Sequence, residues 1–377
     1  MNDRNERLLA TFLELVQIDS PSGEEASCAA YCAEQLAAAG CDVRFDDSAS
    51  RTGSNTGNLI AELPGDRPAV LILSAHLDTV EPGRGVVPRI EDGYVVSEGE
   101  TVLGADDKAG LAASIECVRR LAERGSDRPT VRCVFTVQEE VGLRGAKHVH
   151  ADELGCDLCL VLDAEGPVGG IIVGAPTHFT FDALFEGRAA HAGVAPEQGI
   201  SAIAIAADAI SNMRIGRLDD ETTANVGSIQ GGNATNVITP KVVITGECRS
   251  LNRERVEEVR KAMEKTMEDA AARAGGSADV VWTCEYEGFG IPLDSGAVLA
   301  LEAACHDTGL EASLRTTGGG SDANIFAGKG VPTLALSCGM LHVHGVDERI
   351  AIHDLEALVE LTVAVALRLE PEAGEAR

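Results

Sequence analysis

The sequence predicts an α/β protein: a three-layer αβα domain with a mixed sheet, interrupted by a smaller inserted domain. Three observations carry that prediction. Val70-Leu71-Ile72-Leu73 is an unbroken aliphatic run bounded by Pro68 and Pro82, the pattern of a strand buried on both faces. Further apolar runs at 131–137 and 157–162 alternate with helical patterns, which argues for helices layered on a largely parallel sheet. From about Thr177 the rhythm changes to βαββαβ, and it reverts near residue 289, so a split-βαβ, ferredoxin-like unit is inserted into the first. The expected boundaries are 1–176 with 289–377, and 177–288.

Taken in order, Leu8, Leu9, Phe12, Leu15 and Val16 recur at helical spacing, with Asn2 or Asp3 as caps. Ser20-Pro21-Ser22-Gly23-Glu24-Glu25 breaks that helix and starts another, with acidic residues where a helix N-terminus favours them. Gly40 ends it in a left-handed cap. Strands are expected at 43–45 and 58–63, then the aliphatic strand, then a Gly/Pro-punctuated loop with a short strand at 94–96. A helix runs from the Gly104–Gly110 region to about Glu123. In the inserted part, strands at 179–186, 223–230, 241–247 and 279–287 surround helices at 202–213 and 253–274. The chain then returns through a helix at 295–306, a Gly-rich turn, a strand at 332–336, a His-bearing loop at 341–348 and a helix at 354–369. Residues from Glu370 onward are expected to fray.

Composition narrows the function classes. With 60 acidic against 31 basic residues the formal charge is -29, and no Lys/Arg run stands out, so nucleic acid and anionic membrane are excluded as partners. Eleven scattered cysteines read as buried free thiols of a reducing compartment, not as zinc ribbons or redox centres. The N-terminus has no secretory pattern, and no run approaches the ~18 apolar residues of a membrane span. A cytoplasmic protein of about two domains is the expectation.

The residues that could carry chemistry gather at strand ends. His76 and Asp78 are two apart on an extended segment, so their side chains face one spot, and the carboxyl ends of α/β strands are where ligands collect. Asp106, Glu139, Glu140, Asp163 and His344 each lie at or just past a strand end. Histidine among several carboxylates suits a divalent transition metal in a hydrolytic role: Zn, Mn or Co. Two such ions ~3.5–4 Å apart would share a bridging carboxylate and activate a water, and a carboxylate that is not a ligand would move its proton. Each residue also has a plainer reading. Asp78 could simply orient a surface His76, Asp106-Asp107 could cap a helix, Glu139-Glu140 could be a solvated strand end, and either His342 or His344 could be a loop residue. Their joint occurrence favours the metal site.

SPSGEE at Ser20, HLDTV at His76, GADDKAG at Gly104, EEVG at Glu139, LDAEG at Leu162, HAG at His191, GGNATNVI at Gly231, GGGSDAN at Gly318 and HVHGVDE at His342 together resemble the M20 metallopeptidases, and within them the peptidase T-like, tripeptide aminopeptidase branch. The resemblance spans nearly the whole chain in the right order. It implies that His76 and Asp163 hold one metal and Glu140 and His344 the other, with Asp106 bridging. It makes Glu139 the general base and Asp78 the partner that orients His76. It also implies a cis peptide between Asp106 and Asp107.

For the inserted domain the resemblance implies a lid and dimerisation role. His191 would reach the site of a partner subunit and stabilise the tetrahedral oxyanion, Asn236 would contact substrate, and Arg249 would grip a carboxylate through its bidentate fork. Gly319 and Ser321 match the family's Gly-Gly-Thr segment beside the substrate. One departure stands out: Gly318 occupies the place of the tripeptidases' arginine, which removes one grip on a peptide's C-terminal carboxylate. The expected activity is release of the N-terminal residue from short peptides by a dinuclear-metal enzyme, zinc first among the metals, acting as a homodimer. The alternatives are an amidohydrolase of the same family acting on dipeptides or N-acyl amino acids, and an inactive metal-binding scaffold.

Overall fold

The structure, a computed structural model, describes residues 3–370. Asn2, one of the two cap candidates, and the tail expected to fray beyond Glu370 lie outside the described residues. Among these residues the chain divides into two compact units, one of residues 3–173, 290–316 and 321–370, the other Gly174–Phe289 with Thr317–Gly320.

Four parallel strands form the middle of the first unit's sheet, in the order Pro129–Thr136, Arg67–His76, Leu158–Ala164, Thr333–Ser337. Antiparallel strands flank them: Leu59–Leu63 on one side, continued by Asp42–Phe45, and Gly170–Ala175 on the other. The sheet is therefore mixed, as expected. Side chains alternate between its faces. Leu71, Leu73 and Ala75 join one core cluster with Leu111, Ile115 and Val118 of the long helix Ala105–Ala122 and with Leu358 and Leu361 of the terminal helix Ile352–Arg368. Ile72, Val134 and Val161 are equally buried on the other face, where the short helices Arg144–His148 and Asp322–Gly328 form the third layer. With both faces covered, a strand has room for solvated polar groups only at its ends.

Several elements escaped the sequence reading. Pro88–Glu91 pairs with Tyr94–Ser97, which pairs in turn with Arg349–Ala351. Met340–Leu341 completes this small antiparallel sheet, so both ends of the loop bearing His344 are fastened. The Gly-rich turn is followed by a helix, Asp322–Gly328, started by a capping box between Ser321 and Asn324. Residues 317–320, expected in the α/β part, group with the second unit; a side chain at Gly320 would lie 2.2 Å from the Tyr286 ring. Cys156 and Cys159 have a Cys-x-x-Cys spacing, but both are buried and neither is in a disulfide, and burial pushes the Cys159 thiol well up. This suits packing, not redox chemistry.

The second unit is one antiparallel sheet, in the order Gly216–Asp219, Thr222–Gly231, Lys241–Ser250, Thr177–Glu186, Ser277–Tyr286. Without the added strand Gly216–Asp219, this is the strand order of a split βαβ unit. Helices Ala202–Asn212 and Arg253–Ala274 share a core with Phe181, Phe185 and Ile244. The longer helix begins where the Asn252 side chain accepts the Arg255 N–H and ends at Gly275, whose φ of 76° suits a residue without Cβ.

Candidate metal centre

Register brings the site together. Ala75 and His76 lie opposite Phe135 and Thr136, and Ser74 lies opposite Val161. Two residues further along that second pairing, Asp163 stands beside His76. After Thr136 the chain turns sharply: Gln138 has φ 53°, and the Glu139 carbonyl accepts the N–H groups of Gly142 and Leu143. The turn can lie this close only because Gly145 is glycine, since a Cβ there would sit 2.3 Å from the Val137 carbonyl oxygen. Gly110 serves the same end for the helix that follows Asp106: its Cβ would lie 2.4 Å from the Leu162 carbonyl oxygen.

Asp106 stands at the centre. Its Oδ1 is 3.0 Å from His76 Nε2, and its Oδ2 is 3.2 Å from His344 Nε2. His76 Nε2 is also 3.6 Å from Asp163 Oδ1, and His344 Nε2 is 3.0 Å from Glu140 Oε1. One carboxylate thus divides its two oxygens between two imidazole–carboxylate sets. Donor atoms of His76, Asp106 and Glu140 lie within 4.8 Å of one another, as do those of His76, Asp107 and Asp163. The cis peptide between Asp106 and Asp107 is present. His342 turns away, with its Nδ1 2.7 Å from Asp347 Oδ2.

The electrostatics suit cations. Burial pushes the Asp163 carboxyl up to about 8, with Asp106 and Glu140 adding to the rise against the pull of His76. Burial, with Asp163 next, holds Glu139 and Asp107 well above the ordinary carboxylate range. Bonds to Asp106 and Glu140 raise His344 to about 10. Asp106 is buried too, yet its bonds to His344 and His76 keep it below its ordinary value. Carboxylates outnumber imidazoles here, and desolvated negative charge in surplus is costly unless neutralised. Imidazole nitrogens and carboxylate oxygens are also the donors that zinc, manganese and cobalt take. The residues present fit two divalent ions.

Around this cluster lies a set of carboxylates bonded to main-chain amides. Asp78 Oδ1 accepts the Glu139 N–H at 2.9 Å, and its Oδ2 accepts the Glu140 N–H at 3.2 Å and the Ser22 hydroxyl at 2.6 Å. His76 Nδ1 is nearer to the Asp78 carbonyl oxygen, at 2.8 Å, than to its carboxylate, at 3.5 Å. Asp78 thus holds His76 chiefly by its main chain and both glutamates by its side chain. Sequence reasoning missed three other members. Glu348 accepts the N–H groups of Gly104 at 2.7 Å and Asp106 at 3.0 Å, and burial lifts it to about 7. Asp107 accepts the His76 N–H at 3.1 Å. Glu25 accepts those of Gly23 and Gln138. Each stands inside a quoted motif, but nothing in a sequence shows which amide a carboxylate will meet.

Four of the expected substrate contacts, His191, Asn236, Arg249 and Gly319, belong to the second unit. His191 is exposed in the second unit, its Nδ1 accepting the Gly193 N–H, and the Ala192 N–H bonds the Asn236 carbonyl. The Arg249 guanidinium is already engaged by Glu247, at 2.8 and 3.1 Å, and lies 3.3 Å from the Tyr286 hydroxyl. The Gly319 N–H bonds Thr317 Oγ1. Ser321, in the first unit, caps its helix.

The profile of peptidase family M20/M25/M40 matches residues 72–368, which takes in all of the metal cluster. The chain belongs to that family. It is therefore a peptide hydrolase by descent, and its fold is that of solved members. It is 42% identical to the aminopeptidase PepT of Bacillus cereus, with a TM-score of 0.91 over 97% of this chain and 98% of that one. It is 38% identical to a tripeptidase from Staphylococcus aureus, with a TM-score of 0.92 over 96% and 97%. A Bacillus subtilis protein, YqjE, described as uncharacterized, is 43% identical over 360 residues, 95% of this chain and 97% of that one. Among the described residues, no helix of this family member is long and apolar enough to cross a membrane.

Proposed function

We propose that this chain is a dinuclear-metal exopeptidase that releases the N-terminal residue from short peptides. The observation that carries the reading is the division of Asp106 between the His76–Asp163 and His344–Glu140 pairs, and the likeness to PepT and to a tripeptidase supports the substrate class. His76 and Asp163 would hold one ion, Glu140 and His344 the other, and Asp106 both; zinc is first by donor set, with manganese or cobalt able to take the same places. When bound, the ions polarise the scissile carbonyl and bring a water's ionisation near neutral pH. Glu139 takes a proton from that water and passes it to the leaving amine nitrogen. Asp78 keeps Glu139 and Glu140 apart in role by fixing both main-chain amides. In the second unit, His191 would meet the developing oxyanion from a partner subunit, and Asn236 and Arg249 would bind the peptide. The free edges of that unit's sheet, Gly216–Asp219 and Ser277–Tyr286, suit pairing across a two-fold. The cysteines, all free, suit a reducing cytoplasm.

The deciding experiment supplies the metal-loaded protein with tripeptides, dipeptides and N-acyl amino acids. Tripeptide turnover is expected, and Glu139→Gln should lower kcat by ~10²–10⁴ while metal content stays near two ions per chain. No turnover of any substrate at full occupancy overturns the reading. Preference for dipeptides or N-acyl amino acids would move the assignment to the amidohydrolases, as Gly318 in place of an arginine would favour. A purely monomeric sedimentation profile overturns the role of His191 in trans.

A further inference from the structure

Away from the metal centre, the first unit contains a cavity of about 310 Å³ whose charge runs against that of the chain. Its polar lining is Arg51, Lys147, His148, His150, Lys329 and Asp47. In a chain with 60 acidic and 31 basic residues, Asp47 is the single carboxylate of this lining, and it lies 3.3 Å from His150 Nε2. The basic groups come from three separate segments: the short helix Ala49–Thr52, the end of Arg144–His148 with the residues after it, and the residue that follows Asp322–Gly328.

Two details show that positive charge is held here. Lys329 Nζ donates to the carbonyls of Ala146 and Val149, both at 2.7 Å, and of Lys147 at 3.3 Å, which spends its three protons on carbonyls at a helix end and leaves it to act through its charge. Arg51 makes no ion pair among the described residues, and its guanidinium is left for a ligand. Burial, with the charges of Arg51 and Lys329 next, holds the His148 imidazole below its ordinary value against the pull of Asp46 and Asp47.

We propose that this cavity binds a phosphate dianion, either inorganic phosphate or the head of a small phosphate ester. A carboxylate is planar and satisfied by one guanidinium fork, whereas a tetrahedral dianion offers oxygens to Arg51 from one segment and to His148 and His150 from another, beside the charge of Lys329. The volume lies at the small end of ligand sites, enough for a phosphate and a short organic group. Nothing in the peptidase chemistry uses these residues, so the proposal stands apart from the assignment of the metal centre.

The test is calorimetric titration of inorganic phosphate and of glycerol phosphate into the metal-loaded protein at low ionic strength, in wild type, Arg51→Glu and Arg51→Lys. Arg51 is exposed, so neither variant should alter melting or peptide turnover. One phosphate per chain should bind in the wild type, at least about tenfold more weakly in Arg51→Glu, with Arg51→Lys between the two. The His148 imidazole proton resonances, assigned through His148→Gln, should shift on titration of the wild type and stay put in Arg51→Glu. Matching affinities for the two ligands point to an ester-accepting site, and binding of inorganic phosphate alone points to the free ion. Equal phosphate affinity in wild type and Arg51→Glu, or a wild-type titration that leaves His148 unmoved, overturns the proposal; phosphate taken only by the metal ions would give both results.

Discussion

Asp163 and Glu247 are carboxylates on strands of the two larger sheets, and they are shifted in opposite directions. Burial drives Asp163 up to about 8; a bond to His178, then bonds to Arg249 against partial burial, bring Glu247 down to about 2. The strand ending at His76 is buried along most of its length and carries its ionisable residues, Arg67 and His76, at its two ends. The strand Lys241–Ser250 alternates buried and open positions, and its charged residues pair along its length. Apart from the Arg132–Glu62 pair toward the sheet's edge, the strands covered on both faces carry their charge at their ends, where desolvation and crowding make it reactive. A sheet covered on one face disperses charge into pairs along its strands.

That contrast can be broken from either side. The largest effect is expected from a chelator: turnover should vanish and return with zinc, manganese or cobalt, while the stripped protein loses about 4 kcal/mol of stability per ion relative to protein at a thousand-fold excess of metal over its Kd. Hydrogen exchange should place the loosening around residues 76, 106 and 163 and spare the second sheet. Phe185→Ala, in the second unit's core, should cost ~3–5 kcal/mol in denaturant unfolding yet leave metal content unchanged. A matching loss of metal would show that the two regions are not separable. Asp78→Asn keeps its shape but weakens two amide bonds, and metal affinity measured by competition should fall ~10–100-fold.

The smallest effect concerns Glu247. Its carboxyl lies below its ordinary value of 4.5 when folded, so its contribution is complete above about 4.5 and is lost as pH falls toward about 2. With its side chain 31% exposed, solvent screening leaves roughly 1–2 kcal/mol. Denaturant midpoints of wild type and Glu247→Gln should differ steadily at neutral pH and converge in acid. A constant gap down to pH 3 would place the effect in packing instead of charge.

The architecture was legible where periodicity is strong. The helix Arg253–Ala274 was read with its bounds because Asn252 and Gly275 mark its ends, and the aliphatic run at Val70 announced the central strand. Asp322–Gly328 and Gly170–Ala175 were missed: one follows a run of glycines, and the other is a short run between glycines whose partner, Thr333–Ser337, is distant in sequence. In the site, residue types at strand ends pointed to a metal. The separation of His344 from His342 was not legible from pattern, because it depends on Asp347 capturing one ring while Asp106 and Glu140 meet the other. Asp107 looked like a helix cap for the same reason: its partner, the His76 N–H, comes from a strand that no local rule connects to it.

The bonds from Glu348 to the amides of Gly104 and Asp106 join parts of the chain that are made far apart in time. A nascent chain carries His76, Asp106, Glu140 and Asp163 long before His344 and Glu348 emerge from the ribosome. Until they do, the loop bearing Asp106 lacks the acceptor of its amides and one imidazole of the cluster is missing. A prematurely terminated product would therefore be a peptidase in sequence and inert in practice. Activity must wait for the segment that bears His344 and Glu348.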